Sequence, residues 1–169
     1  MRVVRETPQP QAIDEAAERF RDFVDAVEER LRRGLIAAYG MEVGREATAS
    51  ALAWAWEHMD RIDGLKNPAG YLYRVGQTAA RREHRHSGRS LGLVDDLPTA
   101  VSDALPIEPA LARALERLTA GQRSAVMLVD RWGYPLTETA EIMGVRVSTV
   151  RTHRRRALAK LRTDLGVAI

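Results

Sequence analysis

Apolar residues recur at helical spacing along most of the chain and at strand spacing almost nowhere. Phe20, Phe23, Val24, Val27, Leu31, Leu35 and Tyr39 line up on one side of a 3.6-residue repeat, which predicts a helix over 13–39 with Gly40 as its stop. A second helix is predicted over 45–62. Its inward face would be Ala47, Ala51, Leu52, Ala55, Met59 and Ile62; Trp56, on the same side as Leu52, joins that face and Trp54 points away from it. Asn67 before Pro68 is an N-cap followed by a proline whose missing N–H costs nothing in a first turn, so a third helix opens there and runs into the basic tail Arg81, Arg82, Arg85 and Arg89. Helical spacing returns with Leu111, Leu115 and Leu118. Thr119 and Gln122 then form a capping box for a further helix, closed by Gly133 and Pro135.

Between these runs the texture changes. Ser87 to Pro109 is broken by prolines and glycines, carries Asp95, Asp96, Asp103 and Glu108, and keeps no period. The expected fold is therefore all-α: two small helical domains, residues 10–88 and 108–167, joined by a flexible linker over 89–107.

The C-terminal pattern is the most informative. A short apolar-periodic piece from Leu136 to Met143 is followed by Gly144, where a turn is expected, and then by a helix opened by Ser148 or Thr149, the layout of a helix-turn-helix. Ala140, Ile142, Met143, Val145, Val150, Ala157, Leu158 and Leu161 supply the packing. Ser148, Thr149, Arg151, Thr152, Arg155 and Arg156 make the polar face, where arginines suit guanine edges and hydroxyls suit phosphate. A solvated basic face is the plain alternative, and the agreement of turn, caps and one-sided charge favours DNA binding. Arg154 falls on the side expected to be buried, so either it snorkels outward or that side is less buried.

Composition adds three points. Net charge is only +3, so the basic stripe matters more than the total. Only Lys66 and Lys160 among the 26 basic residues are lysine, a bias that suits bidentate phosphate contacts and equally a GC-rich genome. The absence of cysteine, of a signal-like N-terminus and of any apolar run long enough to span a bilayer fits a soluble cytoplasmic protein.

Taken in order, these pieces resemble a bacterial extracytoplasmic-function sigma factor from Phe20 to Arg162. "GREATASALAWAW" is similar to the family's polymerase-docking helix, which implies contact with core RNA polymerase through Glu46, Ala49, Ser50 and Trp54; Ala49 and Ser50 stand where the family has Gln and Glu. "YLYRVGQTAARR" is similar to the helix that opens the upstream promoter element. That implies roles for Tyr71, Arg74, Thr78, Arg81, Arg82 and Arg85, with Thr78 replacing the usual asparagine and one of Tyr71 and Tyr73 belonging to the core. The helix-turn-helix resembles the family's distal-element reader, with departures at Thr139, Arg146 and Arg154, usually apolar, Ser and Leu. The linker acids Asp95, Asp96 and Asp103 would mimic nucleic-acid charge near the polymerase cleft. The resemblance implies core RNA polymerase and promoter DNA as partners, and an anti-sigma factor as one the sequence does not identify. A free-standing helix-turn-helix regulator and a degenerate sigma-like protein acting through protein contacts are the competing readings. No phosphate loop or nucleophile motif is present, and His84 and His86 lack companions at metal spacing, so neither enzyme activity nor a metal or cofactor is expected.

Overall fold

The long first helix, α1 (Pro10–Tyr39), ends where Gly40 takes a φ of 81°, and this one-residue corner lets α2 (Met41–Glu57) start four residues before its expected origin. The structure is a computed structural model that describes residues 10–87 and 108–166, so Arg89, Asp95, Asp96, Asp103 and the whole of the expected linker lie outside the described residues. The helix predicted over 45–62 is broken at His58, whose Nδ1 lies 2.9 Å from the carbonyl of Trp54, and a short α3 (Met59–Ile62) follows. In α4 (Pro68–Ser87) the expected cap is present: the Gly70 amide donates to Asn67 Oδ1 at 2.9 Å.

The C-terminal half comprises α5 (Pro109–Glu116), α6 (Ala120–Val126), α7 (Leu136–Met143) and α8 (Val147–Leu165). The capping box opens α6, with Thr119 and Gln122 exchanging both bonds. Beyond α6 the helix widens into a π turn, Met127–Arg131, where the Trp132 amide reaches back to the Met127 carbonyl at 3.0 Å. Gly144 joins α7 to α8 at φ 62°, the left-handed turn that a side chain disfavours. Arg146 occupies the N-cap of α8, so Ser148 and Thr149 lie inside its first turn rather than opening it.

The faces of α2 correct the expectation for its tryptophans. Its buried stripe is Gly44, Ala47, Thr48, Ala51 and Ala55, small residues that admit the helices on either side. Trp56, one position beyond the fully buried Ala55, is turned out and 47% exposed, covered on one side by Phe20 with ring centroids 5.0 Å apart. Trp54 is the more covered of the two. It is half-buried, stacks on His58 at 4.2 Å and touches the Tyr71 ring at 5.4 Å.

Both expected helical halves are present, and they lie against each other. Leu35, Leu72 and Tyr73 share one apolar core with Ala125, Leu128, Ala140, Ile142, Met143 and Val150, while Ala37 of α1 packs into the second core with Leu115, Leu118, Met127, Ala157 and Leu161. The approach is close. A Cβ on Gly70 would sit 2.7 Å from the Glu141 carbonyl oxygen and 2.9 Å from Gly144 Cα.

Polar groups are threaded through this junction. Arg123, only 3% exposed, donates to Ala38 O at the end of α1 (2.9 Å) and to Leu115 O at the end of α5 (3.1 Å), tying two helix C-termini, one from each half. Those ends carry the negative pole of the helix dipole, so a buried cation finds both its partners and its field there. Tyr73 and Ser124, fully buried, share a hydrogen bond of 2.9 Å. Asn67 donates to Glu141 O at 2.8 Å, Arg33 to the Tyr134 hydroxyl at 2.8 Å, and Arg30 pairs with Glu138 at 3.4 Å.

Candidate nucleic-acid interface

Helix α8 is positioned by Val150, Ala157 and Leu161, all buried. Turning those three inward fixes the rest of the helix: Ser148, Arg151, Arg155 and Arg156 are exposed, and Thr149 and Thr152 are half-buried. The Thr152 hydroxyl donates to Ser148 O at 3.0 Å, so it offers a DNA ligand only its acceptor lone pairs. The six residues expected on the reading face thus share one side of α8, four of them open to solvent.

Arg154 settles the question raised by its helical position. It lies on the flank of the buried side, half-buried, and reaches Asp130 of the π turn: Nε donates to the carboxylate oxygens at 2.9 and 3.1 Å, and Nη2 donates at 2.6 Å. This bidentate bond stabilises the protonated guanidinium and pushes its pKa up. Beside the pair lies an open cleft of about 200 Å³ lined by Leu136, Arg151, Arg154, Arg155, Leu158 and Arg162. Thr139, where an apolar residue is usual in the resembled family, is fully buried, and its hydroxyl has no hydrogen-bond partner among the described residues.

On α4, Tyr71, Arg74, Thr78, Arg81 and Arg82 are all exposed; the side chain of Arg85 lies outside the described residues. Tyr73 is the core member of the tyrosine pair, and burial pushes its phenol up to about 12 against the opposing effect of the Ser124 hydrogen bond. Thr78 donates its hydroxyl proton to Arg74 O at 3.1 Å. Arg74 itself is engaged across the junction, donating from Nη2 to the carbonyl of Gly144 in the helix-turn-helix turn.

On α2, Glu46, Ala49 and Ser50 are exposed, and Glu46 and Ser50 line a cleft of about 290 Å³ whose far wall is Ala79, Ala80, Arg82 and Glu83 of α4. Trp54 continues that stripe, yet its ring packs on His58 and Tyr71, so it joins the α2 face to the exposed start of α4. Neither Arg123 nor Ser124 is marked by the pattern of residues around it. Their partners are backbone carbonyls and a tyrosine distant in the chain, and nothing in the local pattern names them.

Residues 109–161 match the family model described as Sigma-70, region 4. Over 101 residues the chain is 34% identical to the ECF RNA polymerase sigma factor SigM of Mycobacterium tuberculosis, in both strains H37Rv and Erdman. That match covers 58% of this chain and 52% of the relative, so the chain spans about half the length of the curated relatives it matches. Among solved structures, the sigma factor RpoE in complex with the anti-sigma factor NepR from Bartonella quintana is similar at a TM-score of 0.56 and 22% identity, over 90% of this chain and 99% of that one. CnrH, in complex with the cytosolic domain of CnrY, is similar at a TM-score of 0.56 and 21% identity, over 94% of this chain and 96% of that one. The two structures share the all-helical fold. Among the described residues no helix is long and apolar enough to cross a membrane.

Proposed function

We propose that this chain, which matches the sigma-70 region 4 model over residues 109–161 and an extracytoplasmic-function sigma factor over 101 residues, acts as an alternative sigma factor that directs core RNA polymerase to its promoters. The observation that carries the reading is the combination within one chain. The helix-turn-helix half matches the region 4 model, and the preceding helical half supplies the other motifs in the expected order. In this reading α2 docks on polymerase through Glu46, Ala49, Ser50 and Trp54. Helix α4 opens the upstream element with Tyr71, Arg74, Thr78, Arg81, Arg82 and Arg85, and α8 reads the distal element with Ser148, Thr149, Arg151, Thr152, Arg155 and Arg156. An anti-sigma factor is a further proposed partner.

The junction between the halves bears on how such a protein works. Arg74 spends Nη2 on the turn carbonyl of Gly144, so a promoter contact that uses this edge of the guanidinium requires the halves to part. Polymerase contacts that favour the parted arrangement shift the population toward it, and the shift is limited by their differential affinity for the two states. The free chain is therefore expected to show little preference for promoter over random duplex.

The test is transcription by core polymerase with and without the chain, combined with permanganate reactivity on a promoter selected from genomic fragments. The proposal expects a chain-dependent transcript, protection of two separated elements and unpaired thymines in the upstream one. Tight binding of one palindromic site by a dimer of the free chain, with no transcript from polymerase, would replace it with an operator-binding regulator.

A further inference from the structure

Arg154 has more hydrogen-bonding capacity than its partner uses. Its contacts to Asp130 run through Nε and Nη2, leaving Nη1 with no hydrogen bond among the described residues. A guanidinium carries five N–H donors in a fixed fork, so holding one edge aims the other. Around it Arg151, Arg155 and Arg162 converge on the cleft, with Leu136 and Leu158 as its apolar walls and no acid in its lining. Such a concentration of like charge is unfavourable when empty and is relieved by an anion.

Position supplies the ligand class. Leu136 is the first residue of α7, the leading helix of the helix-turn-helix, which in this motif crosses the nucleic-acid backbone while the second helix enters the groove. Arg151 and Arg155 are shared between the cleft and the exposed reading side of α8. The cleft thus lies on the flank where a strand would leave the groove.

We propose that Arg154, held by Asp130, completes with Arg151, Arg155 and Arg162 a cleft that takes a backbone phosphodiester of duplex DNA. This rests on the reading of α8 as a DNA-binding helix. Asp130 acts as a positioning residue, since it is not part of the cleft lining and works by fixing the guanidinium.

The experiment measures binding of the full chain to a short random-sequence duplex across a salt series, with the melting midpoint of every variant recorded. Arg154→Leu is expected to weaken binding about tenfold and to lower the slope of log affinity against log salt by about one, the value for one lost phosphate contact. Arg162→Ala, at an exposed position with no packing role, is expected to reduce the slope likewise and keeps the test open if Arg154→Leu folds poorly. Asp130→Asn is the discriminating variant. It makes the protein one unit more positive, which on charge alone tightens DNA binding; the proposal expects weaker binding, and no further loss when it is combined with Arg154→Leu. Tighter binding by Asp130→Asn, or an unchanged slope in both Arg154→Leu and Arg162→Ala, overturns the cleft. If Arg155→Ala and Arg156→Ala still flatten the slope in that case, the reading helix stands without it; if they also leave it unaltered, the DNA-binding reading of α8 falls as well. Loss of polymerase binding by Arg154→Leu with unchanged DNA binding overturns the proposal in favour of an acidic protein segment as occupant.

Discussion

Replacing Arg123 by methionine removes a buried cation and leaves the carbonyls it served. Electrostatics alone gives little reason to keep the charge: burial pulls its pKa from 12.5 down to about 10, so the ionised form is held against the cost of leaving water. The reason lies in Ala38 O, at 2.9 Å in the last turn of α1; Leu115 O, at 3.1 Å, also accepts the Leu118 amide at 3.1 Å and keeps that partner without Arg123. Methionine fills much of the same volume and donates nothing. One buried acceptor orphaned, Ala38 O, gives an expected loss of about 1–3 kcal/mol, less whatever is regained by no longer burying a charge. Urea unfolding followed by circular dichroism reads this as a lower midpoint at unchanged m-value. Arg123→Lys should recover part of the loss, because an ammonium on a flexible stem can still donate to Ala38 O but without the fixed fork of the guanidinium. No measurable cost for the methionine variant would show that Ala38 O finds water or another donor, and the account of Arg123 as its donor would be refuted.

Other outcomes follow from the same packing. Thr139→Val keeps the shape and removes a buried, unpartnered hydroxyl, so it should stabilise the fold by about 1 kcal/mol in the same assay; destabilisation would reveal an acceptor or water at that site. Gly70→Ala places a Cβ 2.7 Å from the Glu141 carbonyl oxygen and should cost about 1–3 kcal/mol, measured by denaturant midpoint; a neutral effect would mean that α4 and the turn separate freely. The folded-state pKa of Tyr73 is raised from 10.0 to about 12, so its contribution is fully present below pH 10 and lost as pH rises through 12. Tyr73→Phe should therefore lose stability less steeply than the parent between those values, and parallel curves would contradict the burial argument. Trp54→Ala should lower stability by about 1–2 kcal/mol through its contacts with His58 and Tyr71, and more than Trp56→Ala does; the reverse order would restore the face assignment expected from sequence.

What could be read from sequence was whatever is decided within a few residues. Asn67 and Thr119 announce caps because the amides they accept from are three residues away, and Gly144 announces a turn because its backbone angle is a local property. On α2 the expected Ala47, Ala51 and Ala55 are buried, but the tryptophans were misplaced: the small residues of that stripe carry little hydrophobic signal, so the larger Leu52 drew Trp56 inward with it. Arg154 could be marked as anomalous from its helical position alone. Its partner could not be named, since Asp130 stands 24 residues earlier and is brought near only by the return of α8. The contact of the two halves was equally out of reach: Arg123 reaches Ala38 across 85 residues, and a carbonyl acceptor has no residue type to advertise it.

The π turn at Met127–Arg131 makes this chain sensitive to length at one particular place. A wider turn holds an additional residue without lengthening the helix by a full step, and each residue of an α-helix rotates its successors by about 100°. Deleting any one residue between Met127 and Arg131 would let the backbone close into plain α-helix with every main-chain bond satisfied. The same deletion would remove the offset that sets Asp130 against Arg154, while Trp132 and Tyr134 beyond the turn would keep the sides they pack against, because the wider turn had absorbed the additional residue. A relative lacking that residue would need a gap at this point to be aligned correctly, and a comparison made without one would pair Asp130 with a position on a different face of the helix.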